Sequence, residues 1–99
     1  MQRMNPAALS SEKVCRRLKA LSHPIRLGIL NVLRSGEKNV FQLEALMGTT
    51  QSNISQHLAQ LRDKDILTTR KQANQVFYSV ADPRTFNLLD LLQELYGRL

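Results

Sequence analysis

Residues 50–62 read Thr50-Gln51-Ser52-Asn53-Ile54-Ser55-Gln56-His57-Leu58-Ala59-Gln60-Leu61-Arg62. Serine, asparagine and glutamine carry hydrogen-bond donors and acceptors without formal charge, and these types read base edges and phosphate oxygens. On a helical wheel of about 100° per residue, Ile54, Leu58 and Leu61 fall within roughly 60° of one another. The opposite side holds Ser52, Gln56, Ala59, Gln60 and Asp63, flanked by Asn53 and Ser55. A helix exposed only for solubility usually carries Glu and Lys instead. Taken alone the segment also fits a plain polar surface helix, so its neighbours decide.

Before it, Val40, Leu43, Leu46 and Met47 mark a short helix ended by Gly48. Thr49 and Thr50 form the turn, with Thr50 as N-cap of the polar helix. Lys64 and Asp65 close that helix. The period then changes to that of strands. Residues 66–71 and 75–80 are rich in Thr, Val, Phe and Tyr and are joined through Gln72, Ala73 and Asn74, which reads as a β-hairpin. Its tip lacks glycine, so Asn74 is the residue expected at positive φ.

Upstream, Asn5-Pro6 reads as a cap followed by a first-turn proline. Leu9, Val14, Leu18 and Leu21 continue a helical pattern to about residue 21, with Lys13, Arg16, Arg17 and Lys19 exposed. Ser22-His23-Pro24 restarts a helix whose inner face is Ile25, Ile29, Leu30 and Leu33, and Ser35-Gly36 ends it. Asp82-Pro83 begins the last helix. There Leu88, Leu91, Leu92, Leu95 and Leu99 form one face, with Phe86, Leu89 and Tyr96 beside it. Together they cover about 220° of the wheel, more than a small domain buries on one side. The surplus implies a partner surface, read as a second copy of the chain, with wrapping inside a monomer as the alternative.

The order is helix, helix, short helix, turn, polar helix, hairpin, helix. The fold class is therefore mainly α with a two-stranded β-hairpin: a winged helix-turn-helix, expected as a homodimer. The helix-turn-helix spans residues 40–64 and the wing 66–80. Helices in 1–21 and 84–99 are expected at the dimer interface, through Leu9, Val14, Leu18, Leu88, Leu91, Leu92, Leu95 and Leu99. Arg70 and Lys71, near the wing tip, suit phosphates or the minor groove.

Ninety-nine residues make one domain, 1–99, with a core small enough for dimerisation to matter. Hydrophobic residues at 42% and charged ones at 22% give an ordinary globular balance. The net charge of +6 favours a polyanionic partner. No apolar run approaches the roughly 18–20 residues of a membrane span, and the N-terminal residues lack the apolar core of a signal peptide. Cys15, the only cysteine, fits a cytoplasmic protein. Two histidines in separate helices, no glycine-rich phosphate loop and no nucleophile beside a base argue against an enzyme.

Three segments in this order resemble the ArsR/SmtB family of bacterial winged-helix repressors, over about residues 14–97. They are Leu21-Ser22-His23-Pro24-Ile25-Arg26-Leu27-Gly28-Ile29-Leu30, Gln51-Ser52-Asn53-Ile54-Ser55-Gln56-His57-Leu58-Ala59-Gln60-Leu61, and Thr69-Arg70-Lys71-Gln72-Ala73-Asn74-Gln75-Val76-Phe77-Tyr78-Ser79. The details resemble the HlyU/NolR-like branch. The resemblance implies a dimer built from the first and last helices. It also implies recognition of an imperfect inverted repeat through Gln51, Ser52, Ser55 and Gln56. Asn53, Arg62, Arg70, Lys71, Asn74, Gln75 and Arg26 are further candidate DNA contacts. Gln56 is the best-placed base reader, because Gln can bond bidentately to adenine. Ser52 and Ser55 suit phosphate better. Arg26 reaches either a phosphate or an internal ion pair. His57, beside the apolar stripe, either packs or contacts DNA.

The family's sensing residues are missing. Asn39-Val40-Phe41 stands where the arsenic and cadmium type has Cys-x-Cys. Asp82, Arg84, Leu95 and Arg98 stand at the places of the zinc ligands, and Asn31 and Gly97 at those of the redox cysteine pair. No metal and no cofactor are expected. Cys15 is expected to be buried and inert, or to pair across a dimer axis. The leading function is thus a sequence-specific DNA-binding regulator, a repressor, with double-stranded DNA and its own second copy as partners. The alternative is a winged-helix protein-interaction module, or an anti-repressor that displaces another DNA-bound protein.

Overall fold

Four helix starts carry a side chain that accepts a first-turn backbone N–H, the arrangement that satisfies donors a helix leaves orphaned. Ser11, His23, Asn39 and Thr50 do so for α1 (Glu12–Leu21), α2 (Pro24–Val32), α3 (Val40–Met47) and α4 (Gln51–Asp63). A computed structural model describes residues 11–97. A 3₁₀ turn (Leu33–Ser35) follows α2, and β1 (Leu67–Gln72), β2 (Gln75–Val80) and α5 (Arg84–Tyr96) complete the order. Asn5, Pro6, Leu9, Arg98 and Leu99 lie outside the described residues. The described first helix starts at Glu12, after the extended Ser11.

The core is one cluster. Ile29 and Leu30 of α2, Leu43 of α3, Ile54, Leu58 and Leu61 of α4, and Leu89 of α5 are fully buried. Burying a side chain of this size stabilises by about 1.5–3 kcal/mol. Ala20, Leu21, Leu33, Ile66 and Leu67 close the cluster. Ile25 is only half-buried beside it, and Leu46 is exposed. Gly28 leaves room for the end of the Met47 side chain, whose methyl carbon a Cβ there would meet at 2.6 Å. Gly48, at φ 69°, ends α3 in the left-handed conformation and starts the three-residue turn into α4. At the other end of α4 the N–H groups of Asp65 and Ile66 donate to Arg62 and Leu61 carbonyls, with Asp65 at φ 59°. That Schellman closure turns the chain directly into β1.

The two strands pair antiparallel, with Leu67 opposite Val80 and Gln72 opposite Gln75. The loop is therefore two residues, Ala73 and Asn74. Positive φ falls on Ala73 (56°) and not on the expected Asn74. Positive φ at the first central position alone suits a two-residue hairpin whose twist matches its strands. That match outweighs the left-handed penalty of alanine, about 1–2 kcal/mol. Lys38 adds a single bridge to the other edge of β2 through two backbone bonds with Tyr78, of 3.1 and 2.8 Å.

The Asp82 carboxylate accepts from the Arg84 backbone N–H and guanidinium, which lowers its pKa to about 2. Arg34 ties α5 to the body by donating to Asp90 (2.6 Å) and lying 5.3 Å over the Phe86 ring. Of α5, only Leu89 is buried. Cys15 is exposed, contrary to the expected burial. The reason is that α1 buries only Ala20 and Leu21 against the body, so its preceding turns stand clear of the core.

Candidate nucleic-acid interface

The Thr50 cap and the buried Ile54, Leu58 and Leu61 fix the roll of α4, because all three apolar side chains are fully buried. With that face inward, Gln51, Ser52, Ser55, Gln56, Ala59, Gln60 and Arg62 must face out, and all seven are exposed. Among the described residues, no side chain or backbone group bonds to the Gln51, Ser52, Ser55, Gln56, Gln60 or Arg62 side chains. Their hydrogen-bonding capacity is unused. Asn53 differs: half-buried, it donates to the Thr49 hydroxyl (3.0 Å) and so braces the turn.

His57 joins the buried face and is 8% exposed. Its Nδ1 accepts from Arg26 Nε at 3.0 Å, and its ring lies 4.4 Å from that of His23. Burial, then His23, then Arg26 hold its pKa below the usual value for histidine. Arg26 also donates to the Ala20 carbonyl (3.2 Å) and has no carboxylate partner among the described residues. Of the expected alternatives, the internal ion pair is not formed among the described residues: a histidine and a carbonyl hold this half-buried guanidinium. It opens on a shallow pocket of about 390 Å³, lined also by Gln56, His57, Ala59 and Gln60. All the polar linings can donate and none is a carboxylate, which suits an anion.

In the wing, Lys71 and Asn74 are exposed without side-chain partners among the described residues. Gln75 accepts from Asn39 Nδ2 at 2.9 Å. Arg70 is engaged through all three guanidinium nitrogens. It makes a two-point contact with Glu37 (3.1 and 2.5 Å), donates to Gln72 (2.9 Å), and lies 5.0 Å over the Phe77 ring. The sequence reading missed the tether at residues 37–39. Asn39 and Gln42 form a capping box, each side chain accepting from the other's backbone. The Asn-x-x-Gln spacing signals that box; nothing local signals the pairing with the wing.

A second surface has the opposite character. Val14 and Leu18 of α1 and Leu88, Leu91, Leu95 and Tyr96 of α5 are exposed, from 37% to 82%, and Leu92 is half-buried. Val14, Leu18, Leu21, Ile66 and Leu88 line an apolar groove of about 240 Å³. Among the described residues no three His, Cys, Asp or Glu side chains come together. Asp82, one of the residues expected at the zinc-ligand positions, is paired with Arg84.

The family profile described as "Bacterial regulatory protein, arsR family" matches residues 23–69, from the α2 cap into β1. The biofilm growth-associated repressor of Agrobacterium fabrum is 38% identical over 79 residues, 80% of this chain and 68% of that protein. The crystal structure of NolR from Sinorhizobium fredii superposes with a TM-score of 0.82 at 34% identity, covering all of both chains. A homodimeric winged helix-turn-helix DNA-binding domain from Mycobacterium bovis, solved in solution, gives 0.79 at 25% identity, over 96% of this chain and 88% of that one. The helix-turn-helix, its wing and these likenesses run through the same residues, and the chain belongs to the arsR family of bacterial transcription regulators.

Proposed function

We propose that the chain represses transcription by binding an imperfect inverted repeat in double-stranded DNA as a homodimer. The observation that carries this reading is the outer face of α4, where six hydrogen-bonding side chains are exposed and unused beside a fully buried apolar stripe. Gln56 reads adenine, while Gln51, Ser52 and Ser55 divide between base edges and phosphates. Arg26, which lacks an anionic partner, anchors a phosphate at the pocket beside α4, and Arg62, Lys71 and Asn74 add backbone contacts. Asn53 and Gln75 act indirectly, by holding the turn and the wing.

Homodimerisation follows from the α1 and α5 face. Exposed leucines of this number on one side of a small domain need cover, and the Mycobacterium bovis relative is itself homodimeric. Two recognition helices about 34–36 Å apart then meet successive major grooves on one side of the duplex.

Selection of bound fragments from genomic DNA, followed by titration of the recovered site, tests the reading. With about 6–10 phosphate contacts per dimer, affinity should fall roughly 10³–10⁵-fold between 50 and 200 mM salt. Recovery of no common sequence, or a complex indifferent to salt, would overturn it.

A further inference from the structure

The wing presents two adjacent cations in opposite states. Lys71 has no partner among the described residues, whereas Arg70 has three. We propose that Glu37 sets the wing's grip on DNA by holding Arg70 against Phe77 and competing with phosphate for its guanidinium. This rests on the DNA-binding reading above.

The geometry is built by the backbone. Side chains alternate faces along a strand, and paired residues share one. Arg70 is paired with Phe77, so both lie on the same face of the hairpin. Lys38 is paired with Tyr78 on the far edge of β2, which puts its neighbour Glu37 on the face of Phe77 and Arg70. Glu37 thus reaches across the phenyl ring to close on the guanidinium. It does so from a fixed base. Lys38 is held by two backbone bonds, and Asn39 both caps α3 and donates to Gln75. An ordinary surface ion pair loses much of its value in ordering two mobile side chains; here one of them starts from an anchored backbone.

Carboxylate and phosphate are alternative bidentate acceptors for the same guanidinium edge. An arginine already neutralised by a carboxylate condenses no phosphate charge and releases no counter-ion on binding. While Glu37 holds it, Arg70 therefore adds little to the salt-dependent affinity that Lys71 supplies. Arg70 keeps the Glu37 carboxyl below its usual range, so the competitor stays ionised throughout the pH range of DNA binding.

The experiment is a double-mutant cycle on the full chain, with Glu37→Gln, Arg70→Ala and the pair. Affinity is measured between 50 and 200 mM salt for the recovered genomic site and for a random-sequence duplex. Glu37→Gln should bind both more tightly and steepen the log–log salt slope by about 1.8, one phosphate's worth for each wing of the dimer. Its advantage should shrink roughly 12-fold over that salt range. In the Arg70→Ala background the same substitution should change nothing. Thermal melts check that each variant is folded. A Glu37→Gln protein that binds no tighter overturns the proposal, as does a gain that persists without Arg70, since that would be a general charge effect. If the unaltered chain binds no DNA at all, the underlying reading fails instead.

Discussion

Helices α4 and α5 have the same length, thirteen residues, and opposite surfaces. In α4 the apolar stripe is narrow and wholly buried, and what remains outside is mostly amide and hydroxyl, with Ala59, Arg62 and Asp63. In α5 one leucine, Leu89, is enough to dock the helix, and Leu88, Leu91 and Leu95 are left in water. Neither surface suits a lone globular domain. The exposed face of α4 can hydrogen-bond without burying a charge, which fits a polyanion whose attraction comes from nearby cations. The face of α5 gains only by meeting another apolar surface. On the proposed function the two helices divide the work: one selects the DNA site and the other sets the geometry in which two copies read it.

The sharpest way to break this division is Leu91→Glu. Leu91 is half exposed in the single chain, so the monomer should tolerate the change. Buried at a dimer interface, the carboxylate should separate the copies. Affinity for the inverted repeat should then drop by roughly 10²–10⁴-fold, the advantage that linking two modules confers. Light-scattering mass and titration on the same sample check both effects. A dimer that survives would remove α5 from the interface. The next largest effect belongs to Gln56→Ala. It should cost about 1–3 kcal/mol at the recovered site and almost nothing on random DNA. Equal losses on both would make Gln56 a backbone contact.

Lys71→Ala should be milder and indiscriminate. It should lower affinity for all duplexes alike and reduce the salt slope by about 1.8, one phosphate contact for each wing of the dimer. Arg70→Ala should do less than Lys71→Ala, because Glu37 already neutralises the arginine. Parallel salt titrations of the two variants would sharpen the contrast within the wing; the reverse ranking would undo it.

Local signals made much of this legible in the sequence. Thr50 caps α4, Gly48 ends α3, and the period of Ile54, Leu58 and Leu61 gives the buried side of the recognition helix. Chemistry set between distant segments was not legible. Lys38 finds Tyr78 forty residues away, and Glu37 finds Arg70, with no pattern near either to announce it. The hairpin tip misled for a related reason. Asparagine has the better intrinsic tolerance of positive φ, but strand register decides which loop position needs it, and that position is Ala73. Cys15 misled because a free cysteine usually behaves as a small buried hydrophobe, while α1 buries only Ala20 and Leu21.

The smallest expected effect lies behind α4, at His57. Its Nδ1 accepts from Arg26, so the neutral ring is the form the fold holds, and proton uptake there would set an imidazolium against a guanidinium and beside His23. The folded-state pKa is accordingly depressed below the ordinary 6.5. In the unfolded chain His57 takes its proton first as pH falls. The stability this group contributes is therefore complete above about 6.5 and is lost as pH drops through the lower folded value. Melting temperature should decline between pH 7 and pH 5, and part of that decline should vanish in His57→Gln, whose amide oxygen can still accept from Arg26 but cannot titrate. An unchanged pH profile in that variant would mean that the α2–α4 junction tolerates a charged ring. His57 would then only fill space beneath the recognition helix.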